Sequence, residues 1–332
     1  MNRFLVVPLA VFAALALPGA AGAVTIQEFP IEPGAAPGVH APYYVKTGPD
    51  GNLWIVDRGT SAGIQRMSMS GQRLPPIATL GPPQDIAVGA SGAVFWTETA
   101  VDGDPVGGKL ALRLPDGSIS RTGPKERANP YSVALSSDED VWMGSQIANA
   151  ASPDNGLARL CVLADDFTMP CRSDVTGAKT RYTGIAVAPG NVGWVAAFEA
   201  NVVKRFRPPP PPAIIPDADL NVTLPAGSGP GRIALGPDGN LWVTMYTGNA
   251  IDRITPAGER VRFPLPPGAR GPNDIAAGPD GAMWFTEFDG NAIGRITMSG
   301  QITEFPVPTI ASRPYGITTG PDGNIWFTEN VG

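Results

Sequence analysis

Histidine is nearly absent: the chain of 332 residues holds one, His40. A single imidazole excludes a Ser-His-Asp triad unless His40 itself serves, and no cysteine lies near it to form a nucleophile pair. Cysteine is equally scarce, with only Cys161 and Cys171. Two thiols with no histidine nearby are too few for a structural zinc site. Charge is thin as well: 24 basic and 30 acidic residues give a net charge of −6, with no basic run. Nucleic acid and anionic membrane surfaces are therefore not expected partners. The Gly-Pro-Asp-Gly strings are turn sequences and not a phosphate-cradling loop.

Long apolar runs are missing beyond the N-terminus. Residues 4–17 form one apolar stretch behind Arg3, with Pro8, Pro18, Gly19 and Gly22 interrupting it. A membrane helix needs about twenty apolar residues, so no membrane span is expected. A positive residue, an apolar segment and the small residues Ala21-Gly22-Ala23 read instead as a signal peptide, residues 1–23, cleaved after Ala23. The rest, 24–332, reads as one domain that is secreted or periplasmic and monomeric. In an exported protein the close pair Cys161 and Cys171 favours a local disulfide.

What the sequence has in abundance is turn residues, Gly 41 and Pro 37, alongside 43% hydrophobic residues. They are arranged as a repeat. GPDGNLWVTMYTGNAIDRITPAGERVRFPLP (236–266), GPDGAMWFTEFDGNAIGRITMSGQITEFPVP (278–308) and GPDGNIWFTE (320–329) show the unit clearly. Weaker copies begin at Gly48, Gly89, Ser136 and Ala188. One aromatic residue marks each copy: Trp54, Phe95, Trp142, Trp194, Trp242, Trp284 and Trp326. Each unit reads as four short strands separated by Pro-Asp-Gly, Gly-Asn and Ser-Gly turns. A period of forty to fifty residues with four strands predicts an all-β, seven-bladed β-propeller whose aromatics pack between blades. Residues 24–31, VTIQEFPI, match the fourth-strand string QITEFPVP at 301–308. They are expected to close the last blade as its outer strand and shield its edge. That blade is left without a copy of NAIGRIT before Gly332, and so reads as incomplete. Two further irregularities are an insertion at 148–156 and the stiff proline run 208–212.

Counting outward from each Pro-Asp-Gly turn places Tyr315 beside Glu329 at one end of the last blade. Corresponding rim positions are Tyr43, Asp57, Glu98, Asn273 and Glu287. The acids Glu287, Glu329, Asp57 and Glu98 fall on consecutive blades once the ring closes, so one half of the rim is expected to be acidic and aromatic. Clustered carboxylates suit Mg²⁺ or Ca²⁺, with Glu329 and Glu287 the candidate ligands. A solvated rim repeated with the blade is the simpler account.

The strings GPDGNIWFTE, GNAIGRIT and ITEFPVP resemble the virginiamycin B lyase (streptogramin lyase) family across nearly the whole mature chain. The resemblance implies a seven-bladed propeller that opens cyclic depsipeptides by C–O elimination with a bound Mg²⁺. The family motif Glu-Pro-His-Gly reads here Arg313-Pro314-Tyr315-Gly316, and an earlier Pro-His reads Pro272-Asn273. Both histidines are replaced, and Arg313 stands where a metal-ligating Glu belongs. Glu329 matches a second Glu of the family, and Tyr43 a Pro-Tyr position in the first blade. Two readings follow. One is a propeller that binds a small molecule or an extracytoplasmic protein at its rim. The other is a lyase or lactonase acting on a cyclic ester with a divalent cation, using Tyr315, Glu329, Glu287, Asn273 and Arg313.

Overall fold

The computed structural model describes residues 11–16, 24–31, 39–99, 108–122, 128–147, 158–162, 171–173, 180–207 and 215–330. These residues form seven four-stranded antiparallel sheets and no helix. The first strands are Pro42–Thr47, Pro83–Val88, Ala128–Leu135, Tyr182–Ala188, Pro230–Leu235, Pro272–Ala277 and Pro314–Thr319. They head sheets 1 to 7 in chain order. Each first strand contacts the next, and the circuit closes from Pro314–Thr319 onto Pro42–Thr47. Radial sheets around a ring of inner strands make the fold a β-propeller. The insertion at 148–156, the proline run 208–212 and the cleavage site at 21–23 lie outside the described residues.

The repeat motif has a physical reason at nearly every letter. The glycine closing each Pro-Asp-Gly turn has a left-handed backbone, as at Gly323 (φ 77°), which glycine adopts without steric penalty. The turn aspartate accepts the indole N–H of the tryptophan that follows: Trp54 to Asp50 at 2.8 Å, Trp284 to Asp280 at 3.0 Å, Trp242 to Asp238 at 3.1 Å. That bond lets a polar indole be fully buried, and all seven tryptophans are. The fourth-strand phenylalanine stacks on the same ring, Phe305 on Trp284 at 5.4 Å and Phe263 on Trp242 at 5.6 Å.

The threonine of the WFTE string joins sheet to sheet. Thr244 accepts from Arg232 N–H at 2.9 Å and donates to the carbonyl of Asn273 in the next sheet at 3.0 Å. Thr286 does the same from Asp274 N–H to the carbonyl of Tyr315. Thr328 takes Gly316 N–H and donates to the carbonyl of Tyr43, which closes the ring from sheet 7 to sheet 1. Gly316 is required at this seam, because a Cβ there would lie 2.4 Å from the Tyr43 carbonyl oxygen and 2.7 Å from Tyr44 Cα.

Sheet 7 runs Thr25–Pro30, Val11–Ala16, Ile325–Glu329, Pro314–Thr319. Residues 25–30 are its outer strand, as expected, and Phe29 stacks on Trp326 at 5.6 Å just as Phe305 does on Trp284. The sheet is not short of a strand. Val11–Ala16, which the sequence reading assigned to a leader, pairs with both Ile325–Glu329 and Thr25–Pro30. An apolar run has the composition of a buried strand as much as of a leader.

The candidate mouth and its floor

Inner strands of sheets 2, 5 and 6 meet on Arg232. Its guanidinium donates to both oxygens of Asp85, at 2.7 and 2.8 Å, and to the Thr183 carbonyl at 3.0 Å. It also lies 3.5 Å from Asp274 and 4.0 Å over the ring of Tyr44. Burial alone would weaken the charge, but Asp85, Tyr44 and Asp274 outweigh it and hold the guanidinium firmly protonated. The two aspartates also tie sheets together, Asp85 accepting Val133 N–H and Asp274 accepting Ile317 N–H. Arg232 thus separates two cavities. One, about 380 Å³, is lined by the later residues of the inner strands, among them Thr47, Val88, Leu135 and Thr318.

The other, about 240 Å³, opens at the strand starts and is the candidate site. Tyr44, Arg181, Thr183, Phe198, Arg232, Tyr246, Asn273, Phe288 and Tyr315 line it. Its rings touch in sequence: Tyr43 to Tyr315 at 4.4 Å, Tyr315 to Phe288 at 5.7 Å, Phe288 to Tyr246 and Tyr246 to Phe198 each at 6.5 Å. Three arginines cap this arc. Arg58 lies 4.5 Å over Tyr43, Arg313 5.6 Å over Phe288 and Arg181 5.0 Å over Phe198. Guanidinium over an aromatic face is attractive, by about 0.5–1 kcal/mol at exposed sites.

The sequence reading brings some of its residues here and not others. Tyr315 and Asn273 line the cavity, and the Asn273 amide donates to the Tyr315 carbonyl at 2.9 Å; Tyr43 and Arg313 are one contact away, on Tyr315 and on Phe288. The acids are elsewhere. Pro314, and not Tyr315, pairs with Glu329, because the register shifts between Pro314 and Ile317. The same bulge recurs in sheets 1, 2, 5 and 6. One extra residue re-aims the side chains that follow, so the count from the turn was wrong by one at this end. Asp57, Glu98, Glu287 and Glu329 are fully buried and line neither cavity. The expected acidic half-rim is therefore not a rim.

Two of the buried acids are answered locally and two are held neutral by burial. Asp57 meets His40, Gln65 and the amides of Ala41 and Gly59. Glu98 meets the Trp96 indole and Arg121. Burial, and the neighbouring Glu304, push Glu287 up to about 8. Burial and Glu28 do the same to Glu329, also to about 8. Among the described residues no group of three or more His, Cys, Asp or Glu could hold a metal. With Arg313 beside the mouth and the Asn273 amide engaged, the residues present do not fit Mg²⁺ or Ca²⁺.

Among the described residues no ordinary proton acceptor lines the cavity. His40 is buried against Asp57. Burial raises Tyr315, though the Tyr44 hydroxyl partly offsets it. Burial and then Tyr315 raise Tyr44 further. Burial and the Asp289 carboxylate, whose oxygen takes the hydroxyl at 3.2 Å, push Tyr246 up to about 12. The sequence reading missed Phe198, Tyr246 and Phe288. Their signal was present, an aromatic at or one place past the end of the second strand in sheets 4, 5 and 6.

The fold and this mouth define a β-propeller with an aromatic, arginine-edged cavity. The chain resembles the virginiamycin B lyase family, whose model matches residues 169–332. Virginiamycin B lyase of Bordetella pertussis is 59% identical over 34 residues, a match that spans 10% of this chain and 11% of that protein. The structure of virginiamycin B lyase from Staphylococcus aureus superposes with a TM-score of 0.70 at 24% identity, over 87% of this chain and 94% of that one. A periplasmic gluconolactonase from Pseudomonas aeruginosa superposes at 0.66 with 15% identity, over 88% of each chain. At such identities the superpositions speak for the fold.

Proposed function

We propose that the chain is an exported seven-bladed propeller that binds a small molecule in its aromatic mouth and does not carry out the family's elimination. The observation that carries this reading is the arc Tyr315–Phe288–Tyr246–Phe198 lining a cavity of about 240 Å³, with Tyr43 packed on Tyr315. Contiguous aromatic faces around a concavity supply apolar contact at low entropic cost. A cavity of this size suits a small molecule better than a protein surface.

Proton abstraction from carbon near neutral pH needs a base whose pKa lies near that range. The tyrosines here are shifted away from it, and the buried His40 pairs with Asp57. General acid–base catalysis is typically worth about 10²–10⁴-fold, and its loss removes that factor from elimination. The cyclic-ester reading, lyase or lactonase, rests on Tyr315 and Asn273 lying together at the mouth.

Incubating the purified protein with a streptogramin B antibiotic and Mg²⁺, and following linearisation by mass, decides between them. The expected result is no linear product above the rate without protein. Product formed at an enzymatic rate and abolished by Tyr315→Phe establishes the catalytic reading instead.

A further inference from the structure

Resting on that binding reading, we infer that the mouth selects a ligand bearing a carboxylate beside a ring, and that Arg313 and Arg58 hold the carboxylate. Four arginines surround the arc, and two are already neutralised. Arg232 is spent on Asp85 and Asp274, and Arg181 bonds Glu199 at 2.6 Å. Arg58 and Arg313 are exposed, and neither forms an ion pair among the described residues. They flank Tyr315 from both sides, through Tyr43 and through Phe288.

The backbone at Arg313 is the second observation. Its φ is +52°, in the left-handed region. The corresponding residues before proline in sheets 5 and 6 are Gly229 and Gly271, with φ of 56° and 62°. Sheets 5 and 6 thus use the residue that accepts this conformation freely, while sheet 7 carries a long cationic side chain there. Strain at a non-glycine residue of this kind costs of order 1 kcal/mol and accumulates where a side chain has work to do. The acids that reach the arc are engaged elsewhere, Asp289 by the Tyr246 hydroxyl and Glu199 by Arg181. A ring held between Tyr315 and Phe288, whose planes stand at 85°, has its anionic edge drawn toward the Arg58 and Arg313 guanidiniums. Guanidinium meets carboxylate with charge-assisted, bidentate geometry.

The test uses the intact chain and two matched probes, 2-naphthoate and the neutral 2-naphthalenemethanol, titrated calorimetrically at low and high salt. Naphthoate should bind about tenfold more tightly at low salt, the worth of one charge-assisted hydrogen bond, and salt should erode the difference. Arg313→Gly should abolish the preference while leaving the fold intact, since glycine already occupies the equivalent position twice. Arg58→Gln should reduce it. Equal binding of both probes, or a preference unchanged in both variants, overturns the clamp and leaves the binding reading standing. Binding of neither probe overturns both.

Discussion

Glu287 and Glu329 carry the same chemistry on two neighbouring sheets. Each ends a second strand, each is buried, and each faces the glutamate of the adjoining EFP string, Glu304 or Glu28. No donor of good geometry reaches their carboxyl oxygens among the described residues, so the protonated form is the one the fold accommodates. Their folded pKa values, about 8, lie above the ordinary 4.5. Between those values the folded chain binds protons that the unfolded chain does not. Stability from these groups is thus fully present below about pH 4.5 and is lost as pH rises through about 8. Melting at stepped pH should show a midpoint falling over that window. Glu287→Gln and Glu329→Gln, neutral at every pH, should each raise the midpoint at pH 9 by a few degrees, roughly 1 kcal/mol or more. Unchanged midpoints at pH 9 in both variants would refute the buried-acid account.

At the scale of the strand, spacing was readable and aim was not. The aromatic landmarks fall where counted: Phe95 opposes Ala87 as Trp326 opposes Thr318. The bulge after each inner-strand proline could not be counted, because it depends on how that strand packs against its neighbours in the ring. It turned Tyr315 toward the channel and left Glu329 inside the sheet. The cysteines give a second case. Cys161 and Cys171 are register partners on the strands Ala158–Val162 and Cys171–Ser173 of sheet 3. Directly opposed residues on antiparallel strands lie at the Cα separation that a disulfide spans. The disulfide expected from sequence stays a proposal. Intact protein should show no reactive thiol before reduction, and reduction should lower the melting temperature, with a loop of this length worth about 3 kcal/mol. Two titratable thiols in oxidised protein would count against the bond.

For the molecule as a whole, the N-terminus carries two roles that compete. Val11–Ala16 occupies the third-strand position of sheet 7, and the proposed export with cleavage after Ala23 would remove it. The outer strand has anchors of its own. Glu28 accepts the amide and hydroxyl of Thr309 at 3.1 and 3.0 Å, Phe29 stacks on Trp326, and Ile31 is buried in the sheet 1 core. Partly burying one aromatic ring of this kind contributes roughly 2 kcal/mol. A chain beginning at Val24 should therefore stay folded and melt cooperatively, and mature protein from an exporting host should begin at Val24. Loss of the cooperative melt in the shortened chain would make Val11–Ala16 an integral strand and remove the leader.

By itself the sequence determined the all-β class, the repeat, the place of each buried ring and the outer strand at residues 25–30. All of these follow from local turn chemistry and a period that recurs within forty to fifty residues. It also located Tyr315, Asn273, Tyr43 and Arg313. What only the tertiary structure decided is how residues far apart in the chain share one mouth. Arg232 reaches Asp85 across the ring, five aromatics from five sheets become one arc, and four rim acids withdraw into the sheets. The reason is closure: a ring brings the starts of all inner strands to one place, and the bulge at each start sets which side chain enters it.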